Sequence, residues 1–436
     1  MFDQEYRIGH KEKGLIVSVT CPTLKTHETP EKTQTSIEEM QDLMMTLGIE
    51  YSEHFTQNRA HLDPGTIIGP GKLEEIAHFA KENKVTLLIF DLELTAGQLR
   101  KIKKLTDITV IDRCHIILEI FAKHATTRES KIQIEIARLQ YLLPRLSGYW
   151  THFSRQRGGV GVRGGEGEQQ IELDRRIIRK RISQLKKELE TVVKSREQQG
   201  KQRKKRVLTA ALVGYTNVGK SSLMNALCQG NVLEENKLFA TLDSTYRTLT
   251  PNTHPPLALI DTVGFLNNLP NTLIDGFRST LDSAKEADLL IIVCDISSAH
   301  YNDQLDVTFD ILKNLDIENK DYLIVFNKMD LNQDQFLPKL LKRRFPKSYF
   351  VSSKNPEEMN KLRQDIIHYI LEQLGHFDLF IPYEDGAAHA KVLNSTNVIK
   401  TTNHEKGIFY RIRTPDFVFN QLGMKDYTLL PGHDYE

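Results

Sequence analysis

The chain has 436 residues, 39 % of them hydrophobic, with 58 Lys/Arg against 57 Asp/Glu and a net charge of +1. That length suggests two to four domains with cores of their own. Cys21, Cys114, Cys228 and Cys294 show neither C-x-x-C nor metal-type spacing, which argues against a disulfide scaffold or zinc module and fits a reducing compartment. The polar N-terminus lacks an apolar signal core, and no run approaches ~18 apolar residues, so a cytoplasmic protein with no stable membrane insertion is expected.

The first ~127 residues alternate short apolar runs with helical patterns. Leu15–Val19, Val85–Phe90 and Ile108–Ile111 read as buried strands, with helices over Ser36–Leu47, Lys72–Glu82 and Thr95–Leu105 between them. Such alternation predicts an α/β domain with a parallel sheet. Gly69-Pro70-Gly71-Lys72 marks a turn into a helix. It is either a plain turn or a phosphate-holding one that would make a second nucleotide site.

A helical hairpin follows. Ile132, Ile136, Leu139, Leu143 and Leu146 recur at three- and four-residue steps. From about Glu168, a second series runs through Ile171, Ile178, Ile182, Leu185, Leu189 and Val192. One apolar seam on each helix predicts antiparallel packing. The connector from Arg155 to Gly167 contains six glycines and carries Arg155, Arg157 and Arg163, with Tyr149, Trp150 and Phe153 upstream. It reads as a flexible tip, either a glycine linker or an RNA-binding element whose arginines hold phosphates beside stacking rings. Charge supports the second reading. Positions 175 to 206 hold 14 Lys/Arg, Arg175 and Arg176 among them, against 3 Glu, leaving 44 basic residues to face 54 acidic ones elsewhere. A basic element on an acidic body suits a polyanion, although a solvated helix face would look the same.

Next comes the most specific signal. Gly214-Tyr215-Thr216-Asn217-Val218-Gly219-Lys220-Ser221, with Ser222 beside it, follows the apolar run Val207–Val213 and precedes a helical pattern with Leu223, Ala226 and Leu227 on one face. It fits G-x-x-x-x-G-K-[ST] in its required strand–loop–helix setting, so a bound nucleotide is expected. Backbone N–H groups would cradle phosphates at a helix N-terminus, Lys220 would reach the β- and γ-phosphates, and Ser221 would ligate Mg2+. Between this loop and the next motif lie Phe239-Ala240-Thr241-Leu242-Asp243 and Thr245; either threonine could ligate Mg2+ and order a switch. Asp261-Thr262-Val263-Gly264 follows the strand-like run Leu257–Ile260. Asp261 would reach Mg2+ through water and the Gly264 N–H would meet the γ-phosphate. Phe265 stands where many GTPases place a water-orienting glutamine, so unaided hydrolysis is expected to be slow. Asn217 is a candidate to help hold a monovalent cation such as K+.

Asn327-Lys328-Met329-Asp330 follows the run Tyr322–Phe326. The two Asp330 oxygens match the N1–H and N2–H2 donors of guanine, which adenine lacks, and this selects GTP. Lys328 would lay its stem over the base, and Asn327 would tie the base loop to the phosphate loop. Ser352-Ser353-Lys354 would supply a backbone contact to the guanine oxygen. After about Gly375, Phe377–Pro382, a helix-like Ala387–Leu393 and Gly407–Ile412 suggest a small α+β domain.

With these residues assembled, the chain resembles the HflX family of translation-associated GTPases. The specific part is the hairpin: Tyr141 to Gly148, Arg155 to Glu168 and Glu172 to Arg176. Asp112-Arg113, Ala125 to Glu129 and Gly69 to Lys72 also match, so the resemblance covers nearly the whole chain. Two positions depart, since the family usually has threonine at Val162 and proline at Gly165, which makes this tip less polar and more flexible. The resemblance implies that Thr241 is the switch magnesium ligand. It also implies binding to the large (50S) ribosomal subunit and its RNA, the hairpin reaching toward the peptidyl-transferase region. Members split stalled or stress-damaged ribosomes, hydrolyse GTP slowly until ribosomes stimulate them, and in some cases bind ATP through the N-terminal domain. A role in subunit assembly, or an RNA-binding module with the nucleotide as a structural switch, are the alternative readings.

The expected architecture is therefore α/β. A small α/β domain (1–127) and a long antiparallel helical hairpin (128–206, tip 148–168) precede a P-loop GTPase domain (207–375), a mostly parallel sheet with helices on both faces. A small α+β domain (376–436) follows, and the chain is expected to act as a monomer.

Overall fold

The structure, a computed structural model, describes residues 12–24, 26–146, 164–204, 207–228, 245–249, 255–266 and 278–428, the side chains of 164–170, 196–204 and 278–280 aside. The chain divides into two compact units, one drawn mainly from residues up to Val193 and the other mainly from Lys194 onward.

In the first unit, β1 (Lys13–Thr20), β2 (Glu50–Asn58), β3 (Leu87–Phe90) and β4 (Thr109–Asp112) form a wholly parallel sheet in the order β2-β1-β3-β4. Its helices are α1 (Pro30–Leu47), α2 (Pro70–Glu82), α3 (Ala96–Thr106) and α4 (Arg113–His124). β1 and β3 are buried almost throughout, which is why they read as continuous apolar runs. Leu15, Val17, Leu88 and Phe90 meet Leu73, Ile76, Leu99 and Ile102 in one core. Local signals set the helix starts. Thr29 caps α1 ahead of Pro30, and Thr95 forms a reciprocal capping box with Gln98 on α3.

Two elements here escape the periodicity. β2 is a polar edge strand, half of it exposed, so its sequence carries little alternation. α4 is apolar nearly all round because most of it is buried, and it therefore lacks an amphipathic stripe.

The hairpin consists of α5 (Arg128–Leu142), a 3-10 turn at Leu143–Arg145, and α6 (Gly164–Lys204). Ile132, Ile136 and Leu185 form its buried seam, flanked by Leu139, Ile182, Leu189 and Val192. Arg128 pairs with Glu188 at 2.7 Å, and Arg181 pairs with Glu135 at 2.8 Å. Contacts that advance along one helix while receding along the other make the pair antiparallel. α6 begins earlier than its apolar series suggests, taking Gly164, Gly165 and Gly167 into the helix.

In the second unit, β5 (Leu208–Gly214), β6 (Thr245–Thr248), β7 (Leu257–Asp261), β8 (Leu289–Asp295), β9 (Tyr322–Asn327) and β10 (Ser348–Phe350) form a sheet in the order β10-β9-β8-β5-β7-β6. All neighbours are parallel except β6, which runs antiparallel to β7. The accompanying helices are α7 (Lys220–Cys228), α8 (Arg278–Glu286), α9 (Tyr301–Asn314), α10 (Leu337–Arg344) and α11 (Pro356–Glu372). A three-stranded antiparallel sheet closes the unit, with β11 (Gly375–Pro382), β12 (Asn397–His404) and β13 (Gly407–Thr414) in the order β11-β13-β12. It packs on α12 (Gly386–Ser395) and α13 (Asp416–Leu422) through Leu379, Ile381, Val392, Ile412 and Phe419.

Candidate nucleotide site

The carboxyl ends of β5, β7, β8 and β9 all lie on one edge of the six-stranded sheet, and each ends in a polar or glycine residue: Gly214, Asp261, Asp295 and Asn327. Crevices at such an edge are where open α/β sheets bind ligands. The phosphate loop leaves β5 here and feeds directly into α7, which starts at Lys220. Its conformation needs glycine. Gly219 has φ +90°, and a Cβ there would lie 2.4 Å from Asn327 Nδ2. Tyr215 and Val218 turn their side chains inward, at 3 % and 1 % exposure, so what they offer a phosphate is backbone. Asn217 is exposed with φ +59°, and Ser222 is half-buried.

Lys220 is buried, its Nζ donating to the carbonyls of Gly214 at 3.2 Å and Tyr215 at 2.7 Å. Burial pulls its ammonium down to about 8, partly opposed by the nearby Asp261 carboxylate. A cation held against neutral carbonyls gains strongly from an anion. Ser221 Oγ donates to Asp261 Oδ2 at 2.7 Å. Hydroxyl and carboxylate oxygens brought together at a helix N-terminus are the donor type a hard cation such as Mg2+ takes, with phosphates and water completing its shell. Among the described residues no group of three His, Cys, Asp or Glu forms a metal cluster. Thr262 instead donates to the Leu212 carbonyl at 2.7 Å and is fully buried, a packing role, and Val263 is buried too. A Cβ on Gly264 would stand 2.7 Å from Thr216 Cγ2 and 2.9 Å from Lys220 Nζ, so only glycine lets this backbone run against the loop.

The base loop is held from behind. Asn327, fully buried, donates to the Val218 carbonyl at 3.0 Å and accepts from the Ser353 N–H at 3.0 Å, joining three loops through one amide. Lys328 adopts φ +62° and pairs with Asp295 at 2.7 Å. Met329 N–H donates to the Val351 carbonyl. Asp330 accepts from Ser352 Oγ at 2.7 Å and from Lys354 Nζ at 3.3 Å. The Ser352 hydrogen bond and the Lys354 ammonium hold its carboxyl below the usual range, keeping both oxygens acceptors.

Of the switch candidates, Thr245 opens β6 exposed and pairs opposite Asp261, while Phe239, Ala240, Thr241, Leu242 and Asp243 lie outside the described residues. Arg155, Arg157 and Arg163 lie outside them as well. Arg176 is exposed on α6, and Arg175 stands 3.7 Å from Glu172. The matched pair Asp112-Arg113 belongs to an interior network in the first unit. Arg113 Nη1 pairs with Asp91 at 2.9 Å and Nη2 with Glu39 at 2.6 Å, while Asp112 accepts from Tyr141 Oη at 2.9 Å and Arg145 at 3.3 Å. Lys72, read as a phosphate-turn lysine, pairs with Glu75 at 2.8 Å.

Three family models match the chain: GTP-binding GTPase N-terminal over residues 34–122, GTP-binding GTPase middle region over 124–203, and 50S ribosome-binding GTPase over 209–328. The GTPase HflX of Flavobacterium psychrophilum is 43 % identical over 355 residues, covering 80 % of this chain and 84 % of that protein. The chain belongs to the HflX GTPase family. GTPase HflX of Escherichia coli is 33 % identical over 434 residues, covering 99 % of both chains. Membership makes GTP the substrate and GTP hydrolysis the activity. Among solved structures, a Sulfolobus solfataricus GTP-binding protein in complex with GDP matches 81 % of this chain and 99 % of that one, at 24 % identity and TM-score 0.44.

Sequence reasoning missed two residues that shape this HflX site. Asp295 ends an apolar strand as Asp261 does, so the same strand-end signal could have found it. Glu358, whose carboxylate accepts the Ser352 N–H at 2.6 Å, had no such signal.

Proposed function

We propose that this HflX chain is a GTP-controlled factor that binds the large ribosomal subunit and splits or rescues stalled ribosomes. One observation carries the reading: the most basic segment of the chain, positions 175 to 206, immediately precedes in sequence the strand β5 and the phosphate loop. Its charge suits ribosomal RNA, with Arg155, Arg157, Arg163, Arg175 and Arg176 as candidate contacts. The domain description of residues 209–328 as a 50S ribosome-binding GTPase supports the same partner.

In this reading Lys220 holds the β- and γ-phosphates, and the Gly264 N–H senses the γ-phosphate. Ser221 and Thr241 would hold magnesium, with Asp261 reaching it through water; when bound, the ion neutralises phosphate charge. Thr241 and the segment beginning at Asp261 then order with GTP and relax after hydrolysis, which couples the hairpin to nucleotide state. Asp330 selects guanine, and Asn327 keeps the base and phosphate loops in register. Phe265 has no group to orient water, so turnover waits for a partner to complete or reorder the site.

The test is GTP turnover with and without purified large subunits, paired with cosedimentation on mature ribosomes and on assembly precursors. Stimulated turnover and binding to mature particles are expected. Binding to precursors alone would move the role to assembly, and RNA binding without stimulated turnover would reduce the chain to an RNA-binding module. RNA binding insensitive to salt would contradict the phosphate-contact argument.

A further inference from the structure

The last carbonyls of any α-helix lack an intrahelical donor. On α7, whose first turn carries Lys220 and Ser221, the carbonyls of Ala226 and Leu227 are met by a single side chain. Arg363 of α11 donates from Nε to the Leu227 carbonyl at 2.8 Å and from Nη2 to the Ala226 carbonyl at 3.0 Å, while Nη1 reaches Asn360 Oδ1 at 3.1 Å. The side chain is 6 % exposed and makes no ion pair among the described residues. Carbonyls in the C-terminal part of α7 thus face this buried charge, a placement the helix dipole favours.

The placement joins the two halves of the nucleotide site. α11 begins at Pro356, just after Ser352 and Lys354, which hold Asp330. α7 is a rod of about 13 Å, so a pivot at its last turn displaces Lys220 and Ser221 at its first. Arg247 of β6 also donates to Asn225 Oδ1 on α7 at 3.3 Å.

We infer that Arg363 is a positioning residue for GTP hydrolysis: by clamping the end of the phosphate helix to the helix behind the base loop, it sets the placement of Lys220 and Ser221. The inference rests on the assignment of those two residues to the phosphates and magnesium.

The test uses the full-length chain, with KM and kcat for GTP measured well below the melting temperature of each variant. Arg363→Met keeps the stem and removes the donors. It should raise KM about tenfold and lower kcat by a similar factor, because displaced phosphate contacts act on both binding and turnover. Arg363→Lys keeps the charge but cannot serve both carbonyls, and should fall between wild type and Met. A lowered melting temperature with KM and kcat both unchanged would overturn the inference and leave Arg363 a packing residue. If Arg363→Met does not fold, wild-type KM and kcat in Arg363→Lys overturn it equally. Lys220→Ala separates the two levels. Wild-type GTP binding in Lys220→Ala would remove the site assignment, and this inference with it; its expected loss beside an unchanged Arg363→Met would count against Arg363 alone.

Discussion

One parallel and one largely parallel sheet in this chain carry charged residues at their carboxyl edges, and they use them in opposite ways. At the carboxyl edge of the N-terminal sheet, Arg113 pairs with Asp91 and Glu39, Asp91 also hydrogen-bonds His27, and Asp112 is met by Tyr141 and Arg145. At the edge of the six-stranded sheet, Lys220 has carbonyls to lean on, and Asp330 is exposed. The first edge is closed by its own partners, tying the end of α5 to β4. The second keeps charge available to a ligand. Strand-end charge alone is therefore no evidence of a site; what matters is whether the fold has already compensated it.

Lys220→Ala should break the open edge with the largest effect, lowering GTP affinity on the order of 100-fold or more, since charged hydrogen bonds to two phosphates are lost. Equilibrium binding of a fluorescent GTP analogue measures it. Arg113→Ala should break the closed edge instead. Removing one partner of a buried pair costs about 3–5 kcal/mol of stability, read by denaturant unfolding, with GTP affinity in the folded fraction unchanged. A loss of GTP affinity there would abolish the contrast between the edges. Asp330→Asn should cut preference for GTP over ATP by about 10- to 100-fold, read from competition binding, because an ionised acceptor is replaced. An unchanged preference would show the base loop to be misassigned.

The smallest effect sharpens the comparison through pH. Lys220 has been pulled down to about 8 by burial, while a bound phosphate favours its protonated form. Below about 8 the lysine is charged both before and after binding, so affinity is flat. Above it, binding must take up a proton, and affinity should fall by up to about tenfold per pH unit. A flat titration from pH 7 to 9.5 would place the lysine charge elsewhere.

Much of this was legible in the chain because the signals are local. β1, β3, β5, β7 and β9 are buried on both faces and read as apolar runs ending at the residues that line the edges. Two edge strands, β2 and β12, read poorly because they have little to bury. α4 was hidden for the opposite reason, as burial on nearly every side erased its period. The α6 start was missed because Gly164, Gly165 and Gly167 are weak helix formers that only continuity with a long helix carries.

The sequence by itself determined the nucleotide class. A phosphate loop, an Asp–Gly pair and an Asn-Lys-x-Asp box are each contiguous, and their chemistry is set by residue types that work at short range. Tertiary structure decided which charges are spent. In the sequence Asp112 and Arg113 are only positions matching the family, and the fold shows them consumed in internal pairs. Asn327 reaches Val218 across 109 positions and Arg363 reaches Leu227 across 136. No local pattern encodes such pairings, because the packing that brings them together is settled only when the whole sheet has formed.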